Sequence, residues 1–448
     1  MRIEVESAAG ALAVDLDGLA SVLQPAAHVP YAPPHVFPMS TPNFADAPEA
    51  ERPRPSGDPL GVYIHIPFCR YACNFCFYVK TIGADRAEME RYVRALETEL
   101  AWLPENTPLT QLFIGGGTPT ALPADLFASV LEAALSRVDR SCENIHTVEC
   151  SPETLTSDHI RILDDYRIGR VSMGVQTLED SVLKRVQRQH TSGEALDACE
   201  RLVDSGRMVN VDLIYGLPGQ TKESFRRDFK AVAERGVHSF NAYNLRVNES
   251  TPVLNLLRPD ERLELAQLVR WRAWVERTAQ ELGYEQTHWQ RFLRKGTSFD
   301  LDLTSDNLFG AGVSARSFLS GVVYRNHPKP GGYRERIEAG RSPVEEIFEL
   351  DEEYRKTHFL TRTLGAGKRL ERRAYEQRFG NPFEDDYGPV YQRLVDADLL
   401  EESDGWIAQT ATGRLVYDLV TLAFYPPRLQ QWLEDRHAGA MARRARAS

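Results

Sequence analysis

From Gly61 onward, short apolar runs alternate with longer stretches in which apolar positions recur every three or four residues. The short runs are GVYIHI (61–66), QLFIGG (111–116), IHTVEC (145–150), RVSMGV (170–175), MVNVDLIYG (208–216) and HSFNAYNL (238–245). The longer stretches include ADRAEMERYVRALETELAWL (84–103), PADLFASVLEAALSRV (123–138) and TKESFRRDFKAVAERG (221–236). The first kind of run has the length and composition of a strand, the second the period of an amphipathic helix. Strands that alternate with helices predict parallel βα units. Right-handed crossovers then curl the sheet. The expected fold is α/β, a partial barrel of six βα units, with its chemistry at the C-terminal ends of the strands.

The flanks read differently. Residues 1–60 are expected to be irregular: positions 29–59 are rich in Pro, Ala and Ser, which disfavour a regular helix or a central strand. That stretch reads as a linker or as a segment draped over the main domain. A long helix is expected at 259–282, and loop with short strand at 296–318. From about Pro343 three helical runs precede a short hairpin, the pattern of a winged-helix-like module. The expected division is 1–60 irregular, 61–342 barrel with extension, and 343–448 C-terminal helical cap. The basic tail ARRARAS is expected to fray.

Composition changes this picture little. Of the 448 residues, 42% are hydrophobic and 26% charged, which excludes disorder, collagen and coiled coil for the bulk. A net charge of −11 disfavours a nucleic-acid partner. No apolar run approaches the roughly 18 residues of a membrane span, and the first twenty residues lack a secretory pattern. The expected compartment is the cytoplasm. The 6 cysteines are too few for a disulfide scaffold.

Three of those cysteines cluster. The first strand runs out into Tyr63-Ile-His65-Ile-Pro-Phe-Cys69-Arg-Tyr-Ala-Cys73-Asn-Phe-Cys76, with the spacing C-x3-C-x2-C. Three thiolates on one loop can anchor three irons of a cubane and leave the fourth iron open. Zinc is the rival, but a closed zinc site takes four ligands, and no further Cys or His follows at a suitable spacing. Cys142, Cys150 and Cys199 read as small buried residues. Gly115, Gly116, Gly117 and Thr118 close the second strand; such a turn lets backbone approach a ligand or simply turns tightly. Asp212 interrupts an apolar strand, where an acid is costly unless paired. His65 reads either as a group that tunes the cluster or as a hydrogen-bonded core histidine.

C-x3-C-x2-C after a first strand resembles the signature of radical S-adenosylmethionine (SAM) enzymes. The wider motif Y-x-H-I-P-F-C-x3-C-x-F-C resembles the family of oxygen-independent coproporphyrinogen III oxidase, over about residues 60–420. The resemblance implies a 4Fe–4S cluster on Cys69, Cys73 and Cys76, and SAM bound at the open iron. It places the SAM amine at Gly115–Thr118, further SAM contacts at Glu149 and Gln176, the SAM carboxylate at Arg188, and a ribose hydroxyl at Asp212. Arg185 reads as a surface charge. Tyr63, His65 and Tyr243 are carried over as catalytic candidates.

Decarboxylases of the family carry a fourth cysteine at the place of Tyr78. On that departure the expected activity is a two-SAM reaction, methylation or cyclopropanation of a flat aromatic natural-product substrate. The alternatives are coproporphyrinogen decarboxylation in haem synthesis, or haem delivery and processing. The leader of about 60 residues weighs against haem delivery, since those relatives begin close to the first strand. The resemblance also implies a small-molecule substrate, an electron donor such as flavodoxin or ferredoxin, no nucleic acid, no membrane, and a monomer.

Overall fold

The structure is a computed structural model, and it describes residues 1–22, 45–46, 55, 57–141, 144–247, 251–299, 307–433 and 435. The chain forms two compact units. One comprises Met1–Pro42, Ala242–Lys295 and Leu350–Ser448; the other comprises Asn43–Asn241 and Gly296–Glu349.

The second unit is built from β1 (Leu60–Ile66), α1 (Arg86–Leu100), β2 (Thr107–Gly116), α2 (Ala124–Leu135), β3 (Thr147–Cys150), α3 (Ser157–Asp165), β4 (Arg170–Gln176), α4 (Ser192–Asp204), β5 (Met208–Tyr215), α5 (Lys222–Glu234) and the start of β6 (Ser239–Asn244). Beyond it come β7 (Leu308–Ala311), β8 (Arg316–Leu319), β9 (Val322–Asn326), α6 (Pro330–Glu338) and β10 (Val344–Glu349). The helices begin where the sequence supplies acceptors for their free N–H groups. The Asp85 side chain caps α1, and Thr156, Thr191 and Thr221 each form capping boxes with the third residue of their helices.

The strands lie in the order β6-β5-β4-β3-β2-β1-β7-β8-β9-β10. From β1 to β5 spatial order follows chain order, and the pairs are parallel. The far edge of β1 is taken by β7, also parallel; β8, β9 and β10 then continue antiparallel. The sequence reading anticipated the six βα units and an extension with a short strand at 296–318, but not that the extension adds four strands to the sheet.

Parallel pairing puts partner residues on one face. Val62, Ile64, Ile114, Val148, Val171, Met173, Val209 and Val211 are fully buried on one side. Helix residues Leu96, Phe127, Leu163, Leu202 and Phe229 are equally buried. Each such side chain contributes about 1.5–3 kcal/mol. Cys150 shares that face with Val148, and it and Cys199 are both buried thiols; Cys142 lies outside the described residues. The opposite face carries Tyr63, His65, Phe113, Gly115, Thr147, Glu149, Arg170, Ser172, Gly174, Asn210 and Asp212, and this polar face holds the candidate site.

In the first unit, residues 2–22 are not irregular. Arg2–Ser7 and Gly10–Asp15 form an antiparallel hairpin, followed by a helix at Leu16–Val22. The reason is legible in RIEVES, which alternates with period two and buries Ile3 and Val5, while Gly10 supplies φ +104° at the turn. Most of the Pro-rich stretch 29–59 falls outside the described residues. Helix Leu265–Glu281 is tied to the C-terminal part by Arg272, whose guanidinium forks onto Asp418 at 2.9 and 2.8 Å and lies over the Tyr417 ring. Helices Glu352–Arg362, Arg372–Phe379 and Phe383–Asp396 precede a small antiparallel sheet of Leu370–Glu371, Trp406–Gln409 and Leu400–Ser403. This is the mainly helical, winged-helix-like arrangement expected. Among the described residues no helix is long and apolar enough to cross a membrane.

A buried carboxylate joins α1 to the sheet extension. Glu99 accepts from the Gly312 N–H (2.7 Å), the Asn326 amide (2.8 Å) and the Tyr333 hydroxyl (2.5 Å). Glu99→Ala strands buried donors, each worth about 1–3 kcal/mol. Denaturant unfolding should therefore show a loss of about 3–5 kcal/mol; a loss below about 1 kcal/mol would contradict this account.

Candidate cluster and cofactor site

The three cysteines lie on the loop that leaves β1. Its ends are closed by a short pairing of Phe68–Cys69 with Thr81–Ile82, and by a bond from the Thr81 N–H to the Pro67 carbonyl at 2.7 Å. Inside the loop, the Cys76 N–H donates to the Cys73 carbonyl (3.2 Å) and the Lys80 ammonium to the Cys76 carbonyl (2.9 Å). Asn74 ties the loop to the segment after β4 through the Val186 carbonyl, at 3.1 Å. All three thiols are free and half-buried. Cys69 Sγ is 3.7 Å from Thr118 Oγ1, and Cys73 Sγ is 3.6 Å from Arg188 Nη1. Burial pushes the Cys69 thiol up to about 11; it also raises Cys73, against the pull of Arg188. Thiolates form here when a cationic metal shares the loop. Among the described residues no three His, Cys, Asp or Glu side chains converge on one ion. A cubane takes its thiolates on separate irons, and the loop suits that need.

The glycine turn lies directly on this loop. The Gly117 N–H donates to the Ile66 carbonyl (2.7 Å) and the Thr118 N–H to the Phe68 carbonyl (2.8 Å). A Cβ at Gly117 would stand 2.8 Å from the Pro67 carbonyl, and one at Gly116, with φ +114°, 2.8 Å from the His65 ring. Glycine is required at both positions by close approach.

His65 is buried with both ring nitrogens engaged: Nε2 is 3.0 Å from the Val79 carbonyl and Nδ1 3.1 Å from the Tyr63 hydroxyl. A carbonyl only accepts, so Nε2 carries the proton and Nδ1 accepts from Tyr63. Burial lowers the His65 pKa to about 4. The ring thus braces the cysteine loop, with no free nitrogen to offer a substrate. Tyr63 stacks on Phe113.

Further along the polar face, Glu149 accepts from the Gly116 N–H at 3.2 Å. Burial, reinforced by Asp212, pushes its carboxyl up to about 7. Asp212 is likewise raised by burial, and is held by the side chains of Asn241 (2.7 Å), Asn210 (2.9 Å) and Ser172 (3.3 Å). The buried Arg170 guanidinium lowers both carboxyls. Gln176 ends β4 at φ 72°. Arg188 reaches the Ser151 hydroxyl at 3.0 Å and the Gly174 carbonyl, and stands 5.6 Å from the centre of the Tyr71 ring.

The structure therefore brings together the three cysteines, Tyr63, His65, Gly115–Thr118, Glu149, Gln176, Arg188 and Asp212 within one unit. Arg185 is exposed, as a surface charge should be. Tyr243 lies on the part of β6 that belongs to the other unit. Sequence reasoning missed Tyr71, Ser151 and Glu153, which surround Arg188, His190 beside Glu153, and Arg170, Asn210 and Asn241, which surround Asp212. Alternation along β4 and β5 would have put Arg170 and Asn210 on the inner face; no local signal marks the others.

Residues 63–232 match the radical SAM superfamily model. Heme chaperone HemW of Lactococcus lactis is 28% identical over 364 residues, covering 79% of this chain and 94% of its own. Oxygen-independent coproporphyrinogen III oxidase of Pseudomonas aeruginosa is 27% identical over 421 residues, covering 84% and 88%. Among solved structures, coproporphyrinogen III oxidase HemN of Escherichia coli aligns with a TM-score of 0.76 at 22% identity, over 87% of this chain and 96% of that one, a likeness of fold.

With that fold, and a thiol triad set beside the half-buried Arg188, residues 63–232 form a radical SAM domain. Over most of its length the chain is similar to HemN-like proteins. Its cofactors are a 4Fe–4S cluster and SAM. The residues present fit the pair: three thiols anchor the cluster, and the buried Nε of Arg188 has no partner among the described residues.

Two outcomes follow. Anaerobic reconstitution should load about four irons and four sulfides per chain. Cys69→Ala, Cys73→Ala or Cys76→Ala should each abolish loading; one stoichiometric zinc in place of iron would contradict this. For His65, the unfolded ring binds a proton near 6.5 and the folded one near 4. Its contribution to stability should be complete above the first value and fall away as pH drops toward the second. Unfolding of His65→Gln followed across that range should be flatter than that of the parent chain; equal slopes would contradict the neutral, buried ring.

Proposed function

We propose that the chain cleaves SAM reductively and acts on a tetrapyrrole of haem metabolism, in an oxidation of the oxygen-independent coproporphyrinogen oxidase kind. The observation that carries the SAM half is the placement of Arg188, with one nitrogen 3.6 Å from Cys73 Sγ and another side of its guanidinium unengaged. The substrate half is supported by the relatives, whose names concern haem and its precursor. They favour this over the methyl-transfer or cyclopropanation reading.

Cluster and SAM together supply a 5′-deoxyadenosyl radical when bound. The chain's part is to bind, orient and shield. Arg188 offers a permanent charge to the SAM carboxylate, with a geometry suited to a two-point contact. Asp212 accepts two amide bonds on one oxygen and a hydroxyl on the other, so a lone pair there is free for a ribose hydroxyl. Glu149, its carboxyl raised by burial, accepts from the Gly116 N–H at the glycine turn. Gly115–Thr118 and Gln176 complete the SAM-binding set. Tyr63 and His65 act by holding the cysteine loop. Orientation matters because hydrogen abstraction needs its partners at about 3–3.5 Å. An external one-electron donor such as flavodoxin or ferredoxin belongs to this reading.

Tyr78 favours a second reading. It stands where decarboxylases of the resembled family carry cysteine, and it is 58% exposed beside Phe77. This supports the two-SAM reaction.

One experiment separates the readings. Reduced, reconstituted protein is given coproporphyrinogen III and methyl-deuterated SAM. The proposal predicts 5′-deoxyadenosine, carbon dioxide loss from the substrate, and all deuterium in methionine. Deuterium in 5′-deoxyadenosine and product, with S-adenosylhomocysteine, supports the two-SAM reading. Haem binding without SAM cleavage overturns both in favour of haem delivery.

A further inference from the structure

Glu153 lies in the short turn Pro152–Thr154 after β3. Its carboxylate accepts the Tyr71 hydroxyl at 2.8 Å and the Ser151 hydroxyl at 2.6 Å, and lies 3.5 Å from Nδ1 of the fully buried His190. Its main-chain carbonyl accepts from the Arg70 guanidinium at 2.8 Å. Arg70 and Tyr71 sit between Cys69 and Cys73, so both ends of Glu153 grip the cysteine loop. Ser151 in turn accepts from Arg188 at 3.0 Å, and the Arg188 guanidinium faces the Tyr71 ring. The contacts close a ring: Arg188 to Ser151, Ser151 to Glu153, Glu153 to Tyr71, and Tyr71 back to Arg188.

We propose that Glu153 is a positioning residue for SAM binding, which fixes Ser151 and Tyr71 on two sides of Arg188 so that the guanidinium faces Cys73 and the SAM carboxylate in a single orientation. The inference rests on Arg188 being the partner of that carboxylate. An arginine side chain has several soft torsions, and its affinity for a carboxylate depends on how far they are fixed beforehand. The ring supplies that fixing from two elements at once, the β3 exit and the cysteine loop. Burial alone would raise the Glu153 carboxyl; His190, Arg188 and Ser151 outweigh it and hold it near 2, so the anion is present throughout the neutral range. A bystander charge would not need partners on both of the segments that frame Arg188.

The test reads SAM affinity, not turnover. SAM is titrated into the reduced, reconstituted chain, and the change in the cluster's electron paramagnetic resonance spectrum gives Kd. Glu153→Gln keeps the shape and one acceptor oxygen; Tyr71→Phe removes only the hydroxyl. With about four irons retained, each should raise Kd for SAM about tenfold. The double variant should be no weaker than about twice either single one, because both break the same ring. Arg188→Ala run in parallel separates the two claims. If Arg188→Ala weakens binding but Glu153→Gln and Tyr71→Phe do not, or if their effects multiply, the positioning role is overturned and the arginine's stands. If Arg188→Ala leaves Kd unchanged, the arginine assignment itself fails. A variant that loses thermal stability while keeping its Kd marks Glu153 as a structural residue only.

Discussion

Two backbones meet without side chains between them, and the site depends on that contact. The glycine turn after β2 donates two N–H bonds to the chain that leads into the cysteine loop, at 2.7 and 2.8 Å. An atom added to Gly116 or Gly117 would stand 2.8 Å from the His65 ring or the Pro67 carbonyl. The loop is long and carries partly exposed thiols, so it has little core of its own. Its shape is imposed from outside, by this turn on one side, His65 through Val79 on another, and the Glu153 ring on a third.

The same arrangement governs the electrostatics. A sheet face lined with charged groups away from water is costly unless the charges are paired and hydrogen-bonded. Arg170 stands between Glu149 and Asp212; Arg188 stands among Cys73, Tyr71 and Glu153. Glu149 and Asp212 are raised chiefly by burial, with Arg170 pulling both back. Glu153, held low, has His190 and Arg188 around it.

Much of this was legible in the chain. Short apolar runs alternating with amphipathic stretches placed six βα units, and the spacing of Cys69, Cys73 and Cys76 named the cluster loop. Glu149, Asp212 and Arg188 came from motif resemblance, and the structure puts them in one unit with the cysteines. Tyr71, Ser151, Glu153 and His190 were not legible, because their meaning lies in contacts between distant segments, such as Tyr71 and Glu153, 82 residues apart. The glycine run was read as space for a ligand, yet its first cause here is space for the protein's own backbone. The hairpin at 2–15 was overlooked because the proline-rich stretch behind it set the tone for the whole leader, although RIEVES alternates plainly. The β7–β10 extension was hidden by short strands of four to six residues, too brief to stand out from loop.

The most direct test of the account is a crystal structure of the anaerobically reconstituted chain with SAM. The account predicts a cluster on Cys69, Cys73 and Cys76 with one iron free of protein ligand, the SAM carboxylate within ion-pair distance of Arg188, and Glu153 still bonded to Tyr71. A fourth protein ligand on the cluster, or SAM bound with its carboxylate turned away from Arg188, would contradict it.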